Sequence, residues 1–320
     1  MKPTKTDGGA MLQIGKVPAS DLFVSEPQAS WFGNEPNPPS ATARTAAGWS
    51  NANWLKSRFH FSFAEYSNPR NAAFGCLRVL NDDLVQPGRG FGEHGHADME
   101  IVTYIVQGRL THRDSMGTAE TLGRGAVQFM TAGRGVKHSE HNLLSEPVTA
   151  VSASAAGGQQ PQPEPLRFLQ LWITPSRRGL KPNYGSYTST EAERRGGFAH
   201  LVSQVGGAEG GAPIRLNQDV NIYVAEMGGG GTASLRLGAE RQAYVVCMEG
   251  ACMLQEQTAQ ATQTQTKQTQ LTRHDAAEIG LGGGGGGGGA TLGVTALAEG
   301  AHCLVVEMAA DGRGGRVLKA

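Results

Sequence analysis

RGFGEHGHADMEIVTYIVQGRLTHRD, residues 89–114, decides how the rest of the chain is read. Met99–Val106 (MEIVTYIV) is rich in β-branched and aromatic residues, which predicts a strand. Gln107-Gly108 turns the chain, and Arg109–Asp114 returns. Just before the run stands His94-Gly95-His96. Side chains alternate faces along a strand, so residues i and i+2 point the same way. Two imidazoles at that spacing reach one metal ion.

Short strand-like runs continue on both sides. Ala126–Met130 and Phe168–Ile173 follow, the latter ended by Pro175. The second half repeats the texture at Val220–Ala225, Ala233–Leu237, Ala243–Met248, Cys252–Gln255, Thr291–Leu297 and Cys303–Met308. No long segment of period 3.6 competes, and Glu191–Arg195 is expected as a short helix. Many short, turn-separated strands imply an all-β chain of sandwich or barrel domains. Two halves of about 140 residues each suit an ordinary domain size. They are placed at 46–187 and 188–320, after an N-terminal extension over 1–45 that is rich in Pro, Ser and Ala. Gly228–Gly231, Gly282–Gly289 and the Gln/Thr-rich stretch Gln255–Gln270 read as loop insertions, because glycine runs supply no side chains to a strand. No Lys-Ser/Thr follows Gly282–Gly289, so a phosphate cradle is not expected there.

Composition removes several function classes. The 320 residues balance 28 Lys+Arg against 28 Asp+Glu, so there is no global basic field and direct nucleic-acid binding is not expected. No uninterrupted apolar stretch approaches the roughly 18 to 20 residues that span a bilayer, so no membrane partner is expected either. Cys76, Cys247, Cys252 and Cys303 form no CxxC pair, which argues against a disulfide scaffold or an all-cysteine zinc site. A reducing compartment follows. MKPTKTDGGAMLQIG at the N-terminus lacks the apolar run of a secretory signal. A cytoplasmic or nuclear location is expected, with a plastid left open.

A second i, i+2 pair, His138 and Glu140, lies about 40 residues beyond the first, enough for hairpins to bring it back to face His94 and His96. Three imidazole nitrogens and one carboxylate would then surround one divalent cation and leave one or two positions open on an octahedral ion. Such a site keeps a net positive charge, which attracts an ionised ligand oxygen.

The spacing Gly88-x5-His94-x-His96-x3-Glu100-x7-Gly108 resembles the first cupin motif, and Gly125-x5-Thr131-x-Gly133 with His138-x3-Asn142 resembles the second. Arg78–Gly117, Phe129–Asn142, Ser57–Pro69 and Leu169–Pro175 are similar to the pirin family, nearest its quercetinase-like branch. The resemblance implies a bicupin, two jelly-roll-like β-barrel domains in one chain, with metal in the N-terminal one alone. Its metal ligands fall on His94, His96, His138 and Glu140. Gly95 stands where the family usually has proline. Glu100 stands one residue early for the common cupin glutamate, with Ile101 in that place, in keeping with the family's use of a second-motif glutamate. The implied activity is that of a quercetin 2,3-dioxygenase, cleaving a flavonol with O2. Glu140 then serves as catalytic proton acceptor, and Fe(II) is the expected metal, with Ni, Cu, Mn or Co as alternatives. The other implied role is an iron-dependent redox sensor that binds a transcription factor. The family favours a monomer.

Other polar residues carry plainer expectations. Glu100 is expected on the histidine face, as an imidazole partner or in a salt bridge. His112 and Asp114 read as a solvated or sheet-edge pattern. Asp82, Asp83 and Glu93 are expected in turns before the site. His141 is expected on the opposite face from the ligands, Asn142 to hold a loop and not to touch substrate, and Cys76 in the core. His60, His200, His274 and His302 are isolated and read as packed or surface residues. The C-terminal half has no HxH pair, so no second metal site is expected there.

Overall fold

Burial along Val136–Asn142 has a period of two: Val136, His138, Glu140 and Asn142 are buried, while Lys137 is exposed. This is the signature of a strand with one face on a core. The computed structural model describes residues 11–34, 54–143, 164–207, 211–257, 268–282 and 288–311. Apart from the helix α1 (Glu191–Arg195) and short 3-10 turns, its elements are strands. The Thr190 and Glu193 side chains cap that helix reciprocally. No helix among the described residues is long and apolar enough to cross a membrane.

In chain order the first twelve strands are β1 (Leu12–Val17), β2 (Phe23–Ser25), β3 (Leu55–Phe59), β4 (Leu77–Val85), β5 (Arg89–His96), β6 (Glu100–Gln107), β7 (Leu110–Asp114), β8 (Ala119–Leu122), β9 (Ala126–Thr131), β10 (Val136–Asn142), β11 (Leu166–Ile173) and β12 (Asn183–Thr188). Two antiparallel sheets build the N-terminal half. One has four strands, ordered β5-β10-β7-β8. The other has seven, ordered β12-β9-β6-β11-β4-β3-β2. Leu110 and Leu122 of the first meet Ile105, Leu166 and Phe168 of the second in a shared core.

The C-terminal strands are β13 (Ala199–Gln204), β14 (Ile214–Leu216), β15 (Val220–Met227), β16 (Thr232–Leu237), β17 (Arg241–Gln257), β18 (Thr269–Thr272), β19 (Ala276–Leu281) and β20 (Ala290–Ala309). They form one sheet of nine strands together with β1, which pairs with β19. Two pairs of runs that read as separate strands in the sequence are continuous here. β17 and β20 each pass through a corner at Gly250 and Gly300, both at positive φ, and keep pairing on either side. A Cβ at Gly250 would collide with the Gly300 carbonyl, so the corner needs glycine. Both limbs of the long strands face one core, which holds Cys247, Val245, Leu254 and Val294.

The chain thus has two cupin-like β-sheet domains. Among the described residues the strand pairing closes no ring: the layers meet through side chains, where the family resemblance implied barrels. Residues 12–25, within the stretch read as an extension, supply one strand to each half. Gly228–Gly231 forms a turn between β15 and β16. Most of Gln255–Gln270 and Gly282–Gly289 lies outside the described residues, although Gln255–Gln257 and Thr269–Gln270 are in strands.

The halves join face to face. Val102, Tyr104, Leu169 and Leu171 from the seven-stranded sheet pack with Ile222, Tyr244, Val246 and Leu304 from the nine-stranded sheet. Inside this layer Arg167 donates to both Asp82 oxygens at 2.8 Å and to the Met248 carbonyl at 2.6 Å. His274 adds a 2.6 Å contact to Asp82. Burial opposes ionisation of Asp82, but Arg167 and His274 outweigh it and hold the carboxyl well below its usual range.

Candidate metal centre

His94 and His96 lie on β5, and His138 lies on the neighbouring β10, directly opposite His94 in register. The alternation of both strands turns all three inward. His138 Nε2 sits 3.0 Å from His96 Nε2 and 3.1 Å from His94 Nε2. His94 Nδ1 is 2.7 Å from the Gly92 carbonyl, which fixes the proton on Nδ1 and leaves Nε2 with its lone pair. Burial, reinforced by the neighbouring imidazoles, lowers His96 and His138 to about 3 each. These two rings are therefore neutral at pH 7. Lone pairs crowded at this distance repel unless a proton or a cation lies among them. Nitrogens at about 2.0–2.1 Å from a common ion would stand about 2.8–3.4 Å apart for angles between 90° and tetrahedral, and the observed separations lie in that range.

Glu140 does not join this triangle directly. Its register is shifted by a bulge between His138 and Glu140. Ligand atoms of Glu140, His138 and His112 form a second group, all within 4.8 Å of one another, while those of His94, His96 and His138 form the first. His138 belongs to both. The Glu140 carboxylate is held from the facing sheet. Oε1 accepts from Gln128 Nε2 at 2.8 Å and from Thr103 Oγ1 at 3.4 Å, and Oε2 accepts from Gln170 Nε2 at 2.7 Å. Gln170 Oε1 in turn accepts from Trp172 Nε1 at 3.0 Å, and the Trp172 ring stands edge-on to His96 at 4.8 Å.

Three sequence expectations change here. Glu100 is not on the histidine face. It starts β6 after a turn at Asp98, which has positive φ, and its parity matches Val102 and Tyr104 on the outer side. There it accepts from Thr131 Oγ1 at 2.8 Å and Asn217 Nδ2 at 2.9 Å, across to the C-terminal half. His112 is buried, not solvated: its Nε2 meets Asp114 Oδ2 at 3.1 Å and its ring stacks on Tyr184 at 4.5 Å. Asp82 and Asp83 lie in the middle of β4, buried on opposite faces, and not in a loop.

His94 and His96 open onto a cavity of about 180 Å3. Phe59, Phe63, Phe91 and Trp172 form aromatic walls, and Trp31 and Phe32 of the N-terminal segment complete them. Phe32 also meets Phe91 edge-on at 5.2 Å, which ties that segment to the site. Asn81, Asp83 and Gln170, with Ser25 and Ser57, supply polar groups on the seven-stranded side.

Sequence spacing also missed one cluster elsewhere. Cys247, Cys252 and Cys303, far apart in the chain, bring their sulfurs within 4.8 Å of one another in the C-terminal core. All are fully buried among apolar side chains, where thiols behave as small hydrophobes. Only the register of β17 with β20 reveals the cluster.

The Pirin family profile matches residues 41–173, and the profile described as the quercetinase C-terminal cupin domain matches residues 201–279. The chain is 37% identical over 203 residues to a pirin-like protein of Caulobacter vibrioides, an alignment covering 63% of this chain and 79% of that one. It is 33% identical over 203 residues to quercetin 2,3-dioxygenase of Escherichia coli K12, with 63% of this chain and 78% of that one covered. The crystal structure of YhhW from Escherichia coli superposes with a TM-score of 0.63 at 26% identity, covering 85% of this chain and 97% of that chain. With three inward imidazoles on paired strands, two cupin-like halves and these matches, the chain belongs to the pirin family of the cupin superfamily and is related to its quercetinase-like branch.

Proposed function

We propose that the protein is a metal-dependent dioxygenase that cleaves quercetin or a related flavonol. The observation that carries the reading is the convergence of three imidazole Nε2 atoms, two of the separations being 3.0 and 3.1 Å, on the wall of an aromatic cavity. His94, His96 and His138 would hold one divalent cation, with Glu140 as the fourth donor. A set of imidazoles and a carboxylate suits first-row ions, Fe(II) first, with Ni, Cu, Mn or Co able to use the same donors. When bound, the ion supplies Lewis acidity towards an ionised enol oxygen and redox access to O2.

The chain's own residues do the rest. Phe59, Phe63, Phe91 and Trp172 clamp flat rings and keep water from them. Detached from the ion, Glu140 accepts the proton of the flavonol 3-hydroxyl. Gln128, Thr103 and Gln170 set its starting position. The relative from Escherichia coli K12 supports this substrate class.

The test is quercetin turnover by protein loaded anaerobically with Fe(II) and then given O2, followed by flavonol absorbance and carbon monoxide release. Turnover that disappears in His138→Ala supports the reading. Stoichiometric iron with no turnover, across all five metals, overturns it and favours a redox-dependent regulator, for which partner capture is then measured in both iron oxidation states.

A further inference from the structure

Four polar side chains lie side by side across the inner face of the seven-stranded sheet. Gln128 on β9 is paired with Thr103 on β6, Thr103 with Gln170 on β11, and Gln170 with Asn81 on β4. The first three spend their side chains on Glu140. Asn81 does not. It is 5% exposed, its Oδ1 has no hydrogen-bond partner among the described residues, and it lines the aromatic cavity. A buried amide oxygen left without a donor is costly, so the position asks for one. Asp83, two residues along the same face of β4, lines the cavity as well and is 3% exposed.

We propose that Asn81 and Asp83 form a hydroxyl-binding subsite, on the wall opposite His94 and His96, for the hydroxylated ring of a flat polyphenol. This inference rests on the flavonol reading and adds what selects among flavonols. Burial pushes the Asp83 carboxyl up to about 8, the Ser57 hydroxyl offsets part of that, and the charges of Asp82 and Glu140 add to the rise. At neutral pH the Asp83 carboxyl is therefore mostly protonated, able to donate as well as accept. Asn81 Oδ1 accepts. A pair with no net charge suits neutral phenolic hydroxyls, and it offers no counter-charge to an ammonium group or a phosphate. The aromatic walls add the demand for a planar ring.

The experiment compares quercetin with 3-hydroxyflavone, which keeps the 3-hydroxyl and 4-oxo group and lacks the other ring hydroxyls. Both are titrated into the full-length Fe(II)-loaded protein without O2, read by quenching of the tryptophans, two of which, Trp31 and Trp172, line the cavity. Wild type is expected to bind quercetin about tenfold more tightly than 3-hydroxyflavone. In Asn81→Leu that ratio falls to about threefold or less, while 3-hydroxyflavone binds as before. Asp83→Leu reads the same difference should Asn81→Leu not fold. An unchanged ratio in the folded variants overturns the subsite. Failure of both flavonols to bind wild type overturns the flavonol reading itself, so the two failures are separate.

Discussion

Gln170 Nε2 donates to Glu140 Oε2 at 2.7 Å, joining the two sheets of the N-terminal half at the metal centre. The same amide accepts from Trp172, which stands against His96. One side chain thus orients both the carboxylate and the indole. Gln170→Leu should keep bound metal near one equivalent, since the three histidines are untouched. Its kcat should fall about 10- to 100-fold, the usual cost of losing a residue that orients a ligand. Metal analysis beside steady-state kinetics checks this, and loss of metal in step with activity would contradict it.

The pH dependence of the metal-free protein follows from the two depressed imidazoles. His96 and His138 lie near 3 when folded and near 6.5 when unfolded, so the unfolded chain binds more protons between those values. Their contribution to stability is complete above about pH 6.5 and is lost as pH falls towards 3. Melting temperatures of metal-free wild type should drop across this window, and the drop should be shallower in His138→Gln.

The layer between the halves has its own test. Arg167→Ala strands the buried Asp82 carboxylate and is expected to cost about 3–5 kcal/mol in denaturant unfolding. Replacing both partners, as Asp82→Leu with Arg167→Met, should cost less than the single change, because no charge is left buried alone.

Gly95 separates the two β5 histidines and is exposed. A Cβ added there would meet nothing nearer than 3.9 Å, and its φ is not positive. Gly95→Ala should therefore stabilise the protein by about 0.4–1 kcal/mol through the unfolded chain. Thermal melts of the metal-free protein measure it, and destabilisation would show that the strand needs glycine there.

Much of this centre is readable from spacing because a strand has a fixed period. His94 with His96, and His138 with Glu140, keep the i, i+2 relation, and paired strands bring the three histidines together. What spacing does not contain is register. Gln128, Thr103, Gln170 and Asn81 look like unrelated polar residues until four strands are aligned. Glu100 lies on the face opposite to the one its spacing suggests, because the turn at Asp98 ends one strand and starts another, resetting the parity. The runs around Cys247 and Cys252, and those around Thr291 and Cys303, read as separate strands because a glycine that usually signals a hairpin here makes a corner. The helix Glu191–Arg195 is legible because its capping pair is local.

The segment that begins with β1 and β2 crosses from one half of the protein to the other. Leu12–Val17 pairs with β19, and Lys16 and Ala19 both bond to Asp275. A few residues later Phe23–Ser25 pairs with β3, and Trp31 and Phe32 wall the cavity. The aromatic mouth is therefore moored to the domain that carries no histidine triangle. Internal duplication would suggest two modules that melt in turn. This mooring, with the apolar layer between them, couples their melting instead: a fragment ending after β12 would keep β2 on β3 and the aromatic roof on Phe91, but would lose both the β19 anchor of β1 and the partner of its apolar layer.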